Sequence, residues 1–173
     1  MIRMSGTAST LRLARPADAS GIALLSRDQI EHGLGWKYDA PTVARLIADV
    51  HTSALVADSG RGVDGFAIMQ FADESAHLLL LAVQPRQRRR GIARQLLQWL
   101  LDSARTAGIA EVHLELRQGN AGARAFYSQF GFVDAALVPG YYQQREAALR
   151  MRLRLRSDTE TPPRWQAPTL NRP

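Results

Sequence analysis

Residues 80–97, LLAVQPRQRRRGIARQLL, constrain this chain more than any other stretch. An apolar run ends at Val83. A proline, a cluster of arginines, Gly91 and Ala93 follow, and then apolar residues at helical spacing. This order predicts a strand, a tight basic loop and a helix start. Amides in the first turn of a helix have no partner within it, and the helix dipole adds roughly half a positive charge there. Glycine lets backbone come close to a ligand, and arginines neutralise further negative charge. The stretch is therefore built to hold a phosphorylated ligand.

The charge balance is local. The formal net charge is +6, and the only lysine is Lys37. Arg86, Arg88, Arg89, Arg90 and Arg94 fall in the basic loop, and Arg150, Arg152, Arg154 and Arg156 alternate near the end. Neither cluster is interleaved with aromatics or set in a helix-turn-helix pattern, so no nucleic-acid partner is expected. The chain has no cysteine, which excludes disulfides, thiol nucleophiles and Cys-ligated metals and fits a reducing, cytoplasmic setting. His32, His51, His77 and His113 form no ligand-spaced pair, so no metal is expected. No apolar run approaches the ~20 residues that span a bilayer, and the N-terminus lacks the apolar core of a signal peptide; no membrane partner is expected.

Taken in order, residues 1–10 read as a flexible start, 11–156 as one domain and 157–173, with four prolines and Trp165, as a disordered tail. A short strand at Leu11 and Leu13 precedes a helix over residues 17–31. A loop with Trp36 and Tyr38 leads to a second helix from Pro41 or Thr42 that carries Val43, Leu46, Ile47 and Val50. Strands follow over 53–58, 63–71 and 77–83, the last expected to be buried on both faces. Residues 91–107 form a helix whose apolar stripe is Ile92, Leu96, Leu97, Leu100, Leu101 and Ala104. Residues 111–117 alternate strictly, as a half-buried strand does. Gly119-Asn120 opens a short helix that Gly131 stops, and Phe132-Val133 starts a strand. Residues 139–142 (PGYY) read as a loop. The last strand, 147–156, turns Leu149, Met151, Leu153 and Leu155 inward and its arginines to water. The class is α+β (mixed α/β), with helices on both faces of a sheet.

The ordered set V-x-P-x-x-R-R-R-G-I-A, helix, strand, G-N-x-x-A-x-x-F-Y-x-x-F-G-F resembles the GCN5-related N-acetyltransferase (GNAT) superfamily. Arg88, Gly91 and Ala93 match its R/Q-x-x-G-x-G/A signature, and Asn120, Tyr127 and Phe130–Phe132 follow at family spacing. The resemblance implies the GNAT acyl-CoA acyltransferase fold: a central, mostly antiparallel sheet with two splayed strands. It also implies acetyl-CoA as acetyl donor. Glu115 in LELR, Asn120, Tyr127 and the pair Tyr141-Tyr142 are similar to the ribosomal-protein-alanine N-acetyltransferases, whose acceptor is a protein N-terminus. The first half resembles that subfamily much less. Many such proteins form homodimers, and nothing in the sequence fixes an interface.

On this resemblance, the amides and side chains of Arg88, Arg89, Arg90, Gly91, Ile92 and Ala93 meet the coenzyme A phosphates. The backbone of Leu81, Ala82 and Val83 lies beside the thioester. Asn120 bonds the pantetheine arm or caps its own helix. Attack of an amine on a thioester needs a proton removed from the amine and one supplied to the leaving thiolate. Tyrosine (~10) stays protonated at neutral pH where a thiol (~8.5) begins to ionise, so Tyr127 is the expected general acid. Glu115 is the expected general base, acting through a water. The acceptor walls are Glu31, Trp36, Tyr38, Tyr141 and Tyr142, an aromatic set suited to a cationic amine. An α-amine gives up its proton about 2.5 pH units more readily than lysine, worth about 3.4 kcal/mol at fixed pH. That favours a peptide or protein N-terminus. A small amine (polyamine, amino acid or aminoglycoside) is the alternative acceptor, and a non-catalytic acetyl-CoA-sensing domain the remote one.

Overall fold

The computed structural model describes residues 9–156; the expected terminal segments, including Trp165, lie almost wholly outside them. The elements are β1 (Thr10–Leu13), α1 (Ala19–Gln29), α2 (Ala40–Ala48), β2 (Thr52–Asp58), β3 (Val63–Phe71), β4 (Ser75–Val83), α3 (Ile92–Thr106), β5 (Glu111–Arg117), α4 (Ala121–Ser128), β6 (Val133–Tyr142) and β7 (Glu146–Arg154). Seven strands form one sheet in the order β1-β2-β3-β4-β5-β7-β6. Every pairing is antiparallel except β4 with β5. None of the described helices is long and apolar enough to cross a membrane.

Two cores lie on opposite faces of the sheet. On one, the stripe Ile92, Leu96, Leu97, Leu100, Leu101 and Ala104 of α3 packs with Val112, Leu114, Leu116, Tyr127 and Phe132. On the other, Ile22, Ala23 and Leu25 of α1 and Val43 of α2 pack on Val56, Phe66, Ile68 and Leu80. Gly65 sits where α3 meets β3: a Cβ there would lie 3.0 Å from Ile92 Cγ2 and 3.2 Å from the Ala82 carbonyl, so only glycine lets the start of α3 rest on the strand.

The feature that makes a site is a split in the sheet. β4 and β5 pair only at Ser75↔Glu111, Ala76↔Val112 and His77↔His113. The split begins where β4 changes register against β3: Ile68 pairs with Leu80 but Met69 with Leu78, leaving Leu79 as an extra residue. The bulge bends β4 away from β5 and re-aims its side chains.

Four expectations are corrected. β4 is not buried on both faces; its burial alternates through His77, Leu79 and Leu81. Val50 lies beyond the end of α2 and is 90% exposed. Residues 139–142 are not a loop but the end of β6, with the pairing irregularity between Val138 and Tyr142 accommodating Pro139. The β7 arginines do not simply face water. Arg150 Nε is 2.7 Å from Glu115 Oε1, and Arg152 and Arg154 lie 3.8 and 4.0 Å from Glu111 Oε2. α1 packs on β3 and β4 and α2 on β2, so on that face β5 and β7 carry polar side chains instead.

Candidate active site

The basic loop enters through a single 3-10 turn, Pro85–Gln87, held to β3 by the buried carboxylate of Asp64. Asp64 Oδ1 accepts from Gln87 Nε2 at 3.1 Å, and the Asp64 carbonyl accepts from Gln84 N–H at 2.7 Å. Arg89 and Gly91 adopt positive φ (63° and 80°). The ladder of α3 begins with Gln95 N–H to the Gly91 carbonyl at 3.0 Å, and no side chain caps the helix. The amides of Ile92, Ala93 and Arg94 therefore precede the ladder and remain donors for a ligand.

These residues line a cleft of about 710 Å³ with Leu81, Ala82, Val83, Arg88, Arg89, Asn120, Ala123, Phe126 and Tyr127. Arg90 does not line it. Arg88 reaches across to Gln29, its Nη2 donating to Oε1 at 2.6 Å, so Gln29 is a lining residue the sequence did not suggest. Asn120 caps α4, accepting from Ala123 N–H at 3.1 Å, while also lining the cleft.

A second cleft, of about 320 Å³, opens where β4 and β5 part. Its walls are Leu78–Leu81 of β4, Leu114–Arg117 of β5, Ile30, His32 and Tyr142. Gln29, Leu81, Asn120, Ala123 and Tyr127 line both clefts, so the two meet beside Tyr127. A wider depression on the outer face of α3, about 940 Å³ with Trp99 and Asp102, lies apart from this junction, and its Asp102 is engaged by Arg105 and Gln98.

The chemistry at the junction is asymmetric. Tyr127 is buried, which pushes its hydroxyl well above the ordinary tyrosine range, with Tyr142 adding to the effect. Glu115 behaves oppositely. Burial alone would raise its carboxyl, but hydrogen bonds and charge from His77 (Nε2 to Oε2, 2.6 Å) and Arg150 outweigh this and hold it at about 2. His77 was not anticipated. Its ring stacks on His113 at 4.4 Å, and burial, then His77, lowers the His113 pKa.

The residues expected to wall the acceptor divide. Glu31 is buried and does not face the cleft: its carboxylate accepts from Lys37 N–H (2.6 Å), Tyr38 N–H (3.1 Å) and Ser26 Oγ (3.1 Å), so it pins the loop after α1. Trp36 is 44% exposed under the Arg27 guanidinium. Tyr142 lines the cleft, and Tyr141 packs edge-on against it at 5.0 Å. The Tyr38, Tyr141 and Tyr142 hydroxyls are all raised, by burial first and then by neighbouring groups that in each case include Glu115; Tyr142 is pushed up to about 12. Glu115 thus adds negative charge that all three hydroxyls feel.

The model of the acetyltransferase (GNAT) family matches residues 25–132. The chain belongs to this family. In sequence it is 41% identical over 91 residues to the [ribosomal protein bS18]-alanine N-acetyltransferase of Salmonella typhimurium, a match covering 51% of this chain and 62% of that protein. In structure it superposes on Ard1 of Thermoplasma volcanium with a TM-score of 0.77, at 28% identity, covering 87% of this chain and 99% of that one. It superposes on the Escherichia coli ribosomal-protein-S18-alanine N-acetyltransferase with a TM-score of 0.73, also at 28% identity, covering 88% and 97%. The expected fold is therefore the observed one, split strands included.

Proposed function

We propose that this GNAT domain is an acetyl-CoA-dependent N-acetyltransferase whose acceptor is the α-amine of a protein or peptide N-terminus. One observation carries the reading: a phosphate-suited cleft and a narrow carboxylate-bearing cleft meet at a buried, protonated tyrosine. Coenzyme A phosphates meet the free amides of α3 and the loop arginines, and the thioester lies in the split beside Leu81. The amine enters from the second cleft, its nitrogen attacking the thioester carbonyl. The C–S bond then breaks, and the Tyr127 hydroxyl protonates the departing thiolate. A carboxylate held at about 2 does not store a proton at neutral pH. Glu115 instead stabilises the charge that grows on the attacking nitrogen of the neutral amine and holds a water that takes up the proton nitrogen loses. That proton leaves through water to solvent, and solvent restores the Tyr127 hydroxyl after it has protonated the thiolate.

The relatives named for alanine N-acetylation support an N-terminal acceptor, as does the α-amine's lower cost of deprotonation. A cytoplasmic reaction follows from this acceptor reading, since new N-termini emerge there. The test is thiol release from acetyl-CoA with an Ala-starting peptide and with spermidine. Turnover of the peptide alone is expected. Turnover of spermidine alone would assign a small-amine enzyme, and acetyl-CoA binding without turnover of any amine would leave a binding domain.

A further inference from the structure

We infer that Arg117 is a positioning residue that clasps the two walls of the acceptor cleft to each other. It stands two residues after Glu115 on β5 and therefore projects from the same face. Its guanidinium reaches both walls at once. Nη2 donates to the carbonyls of Ile30 (3.2 Å) and His32, where α1 ends and the acceptor loop starts. Nη1 lies 3.3 Å from Glu146 Oε2, at the start of β7, and the guanidinium carbon is 5.8 Å from the centre of the Tyr142 ring. Ile30, His32, Tyr142 and Arg117 itself all line the cleft.

The chemistry requires arginine. The Ile30 carbonyl caps α1 at the negative end of its dipole with no partner within the helix, and the His32 carbonyl follows in the loop, so a cation there meets both. Two carbonyls on one wall, and a carboxylate and an aromatic face on the other, need a planar fork with several donors; an ammonium is a point charge on a flexible stem. The Glu146 pair is partly exposed on both sides (28% and 37%), and such pairs contribute little to global stability. The clasp therefore sets the spacing of the walls rather than the stability of the fold. Because Glu31 already ties Lys37 and Tyr38 to the end of α1, fixing Ile30 and His32 fixes the loop as far as Tyr38.

This deepens the acceptor reading and rests on it for the kinetic arm only. In hydrogen exchange by mass spectrometry, Arg117→Met should raise exchange in residues 30–38 and 140–146 together and leave residues 88–94 unchanged. Glu146→Gln should raise it in residues 140–146 alone. In kinetics with the Ala-starting peptide, Arg117→Met should raise the peptide KM at least tenfold and move the acetyl-CoA KM less than twofold, with Arg117→Lys between it and the wild type. Exchange rising in one wall only, or in neither, would overturn the clasp. So would equal rises in both KM values, the mark of a general loss of structure. If the wild-type protein does not acetylate the peptide yet the two walls loosen together, the acceptor reading fails and the clasp stands.

Discussion

Tyr127 and Glu115 are shifted in opposite directions because their surroundings differ, the proposed reaction gives them opposite roles, and each difference can be measured. Tyr127 is raised by burial, so it is a full proton donor at any working pH, and Tyr127→Phe keeps the ring packed against Phe126 and Phe132 while removing only that proton. The expected outcome is a kcat lower by about 10²-fold with acetyl-CoA affinity unchanged; an unaltered kcat would remove Tyr127 from the chemistry. Glu115 is depressed from its ordinary ~4.3 to about 2, so the native state binds its proton more weakly than the unfolded chain does. The stability this gives is fully present above the ordinary value and is lost as pH falls from about 4.3 through about 2. Urea midpoints of wild type and Glu115→Gln should differ most at neutral pH and converge across that window; a constant difference would mean that no shifted carboxylate is involved. Activity should titrate elsewhere. The acid limb of kcat/KM should follow the acceptor's α-amine at ~7.7–8, because Glu115 is already ionised there. At this scale the sequence was partly legible. Glu115 stood out through the family resemblance; the alternation of β5 only put it on the polar face with Glu111, His113 and Arg117. Its partners His77 and Arg150 are 38 and 35 residues away, and no local pattern pairs them.

At the scale of elements, legibility followed periodicity. The stripe of α3 was readable residue by residue because a helix against a sheet must bury one face, and β5 because a half-buried strand alternates. The end of β6 was not readable. Pro139-Gly140 signals a break in any local pattern, yet a bulge absorbs it and pairing resumes at Tyr142↔Glu146. Between those partners Gln143 and Gln144 both take positive φ (52° and 58°), the sign pattern of a hairpin turn that usually employs Asn-Gly. Glutamine has neither glycine's freedom nor asparagine's short local hydrogen bond, so the turn carries strain beside Tyr142. Gln144→Gly should relieve it and, after the added freedom of the unfolded chain, raise stability by about 0.5–1 kcal/mol. A melting temperature that falls instead would show that the Gln144 side chain contributes more than its backbone costs. The same prediction probes the proposed acceptor cleft, since Tyr142 adjoins the turn and a relaxed hairpin should alter peptide KM more than acetyl-CoA KM.

At the scale of the whole molecule, the sheet is two antiparallel parts, β1–β4 and β5-β7-β6, paired across the seam at three residue pairs and linked there by the contacts of His77 with Glu115 and His113. Whether a strand pair parts is a property of long-range register, and that is why the split entered the sequence reading only through the family resemblance. The split makes the site, and it also makes the seam between the two parts weak in hydrogen bonds. A ligand lying across it touches both: Leu81, Ala82 and Val83 belong to one part, Asn120 and Tyr127 follow β5 in the other, and α3 connects them. Acetyl-CoA should therefore act as a bridge, and its binding free energy should appear as stability of the entire domain. At a ligand concentration of 100 Kd the gain is about 2.7 kcal/mol, which for a domain of this size corresponds to a rise in Tm of roughly 5–10 °C. Gly91→Glu supplies the control. Gly91 sits at φ 80°, where a side chain is strained, and glutamate there sets bulk and negative charge beside the amides that would receive the phosphates. The variant should melt lower than wild type without ligand and show no rise with it. A variant that still gains 5–10 °C would place the phosphates elsewhere and separate the basic loop from the cofactor. A wild type that gains nothing at saturating acetyl-CoA would remove the donor from the proposed reaction, whatever the acceptor.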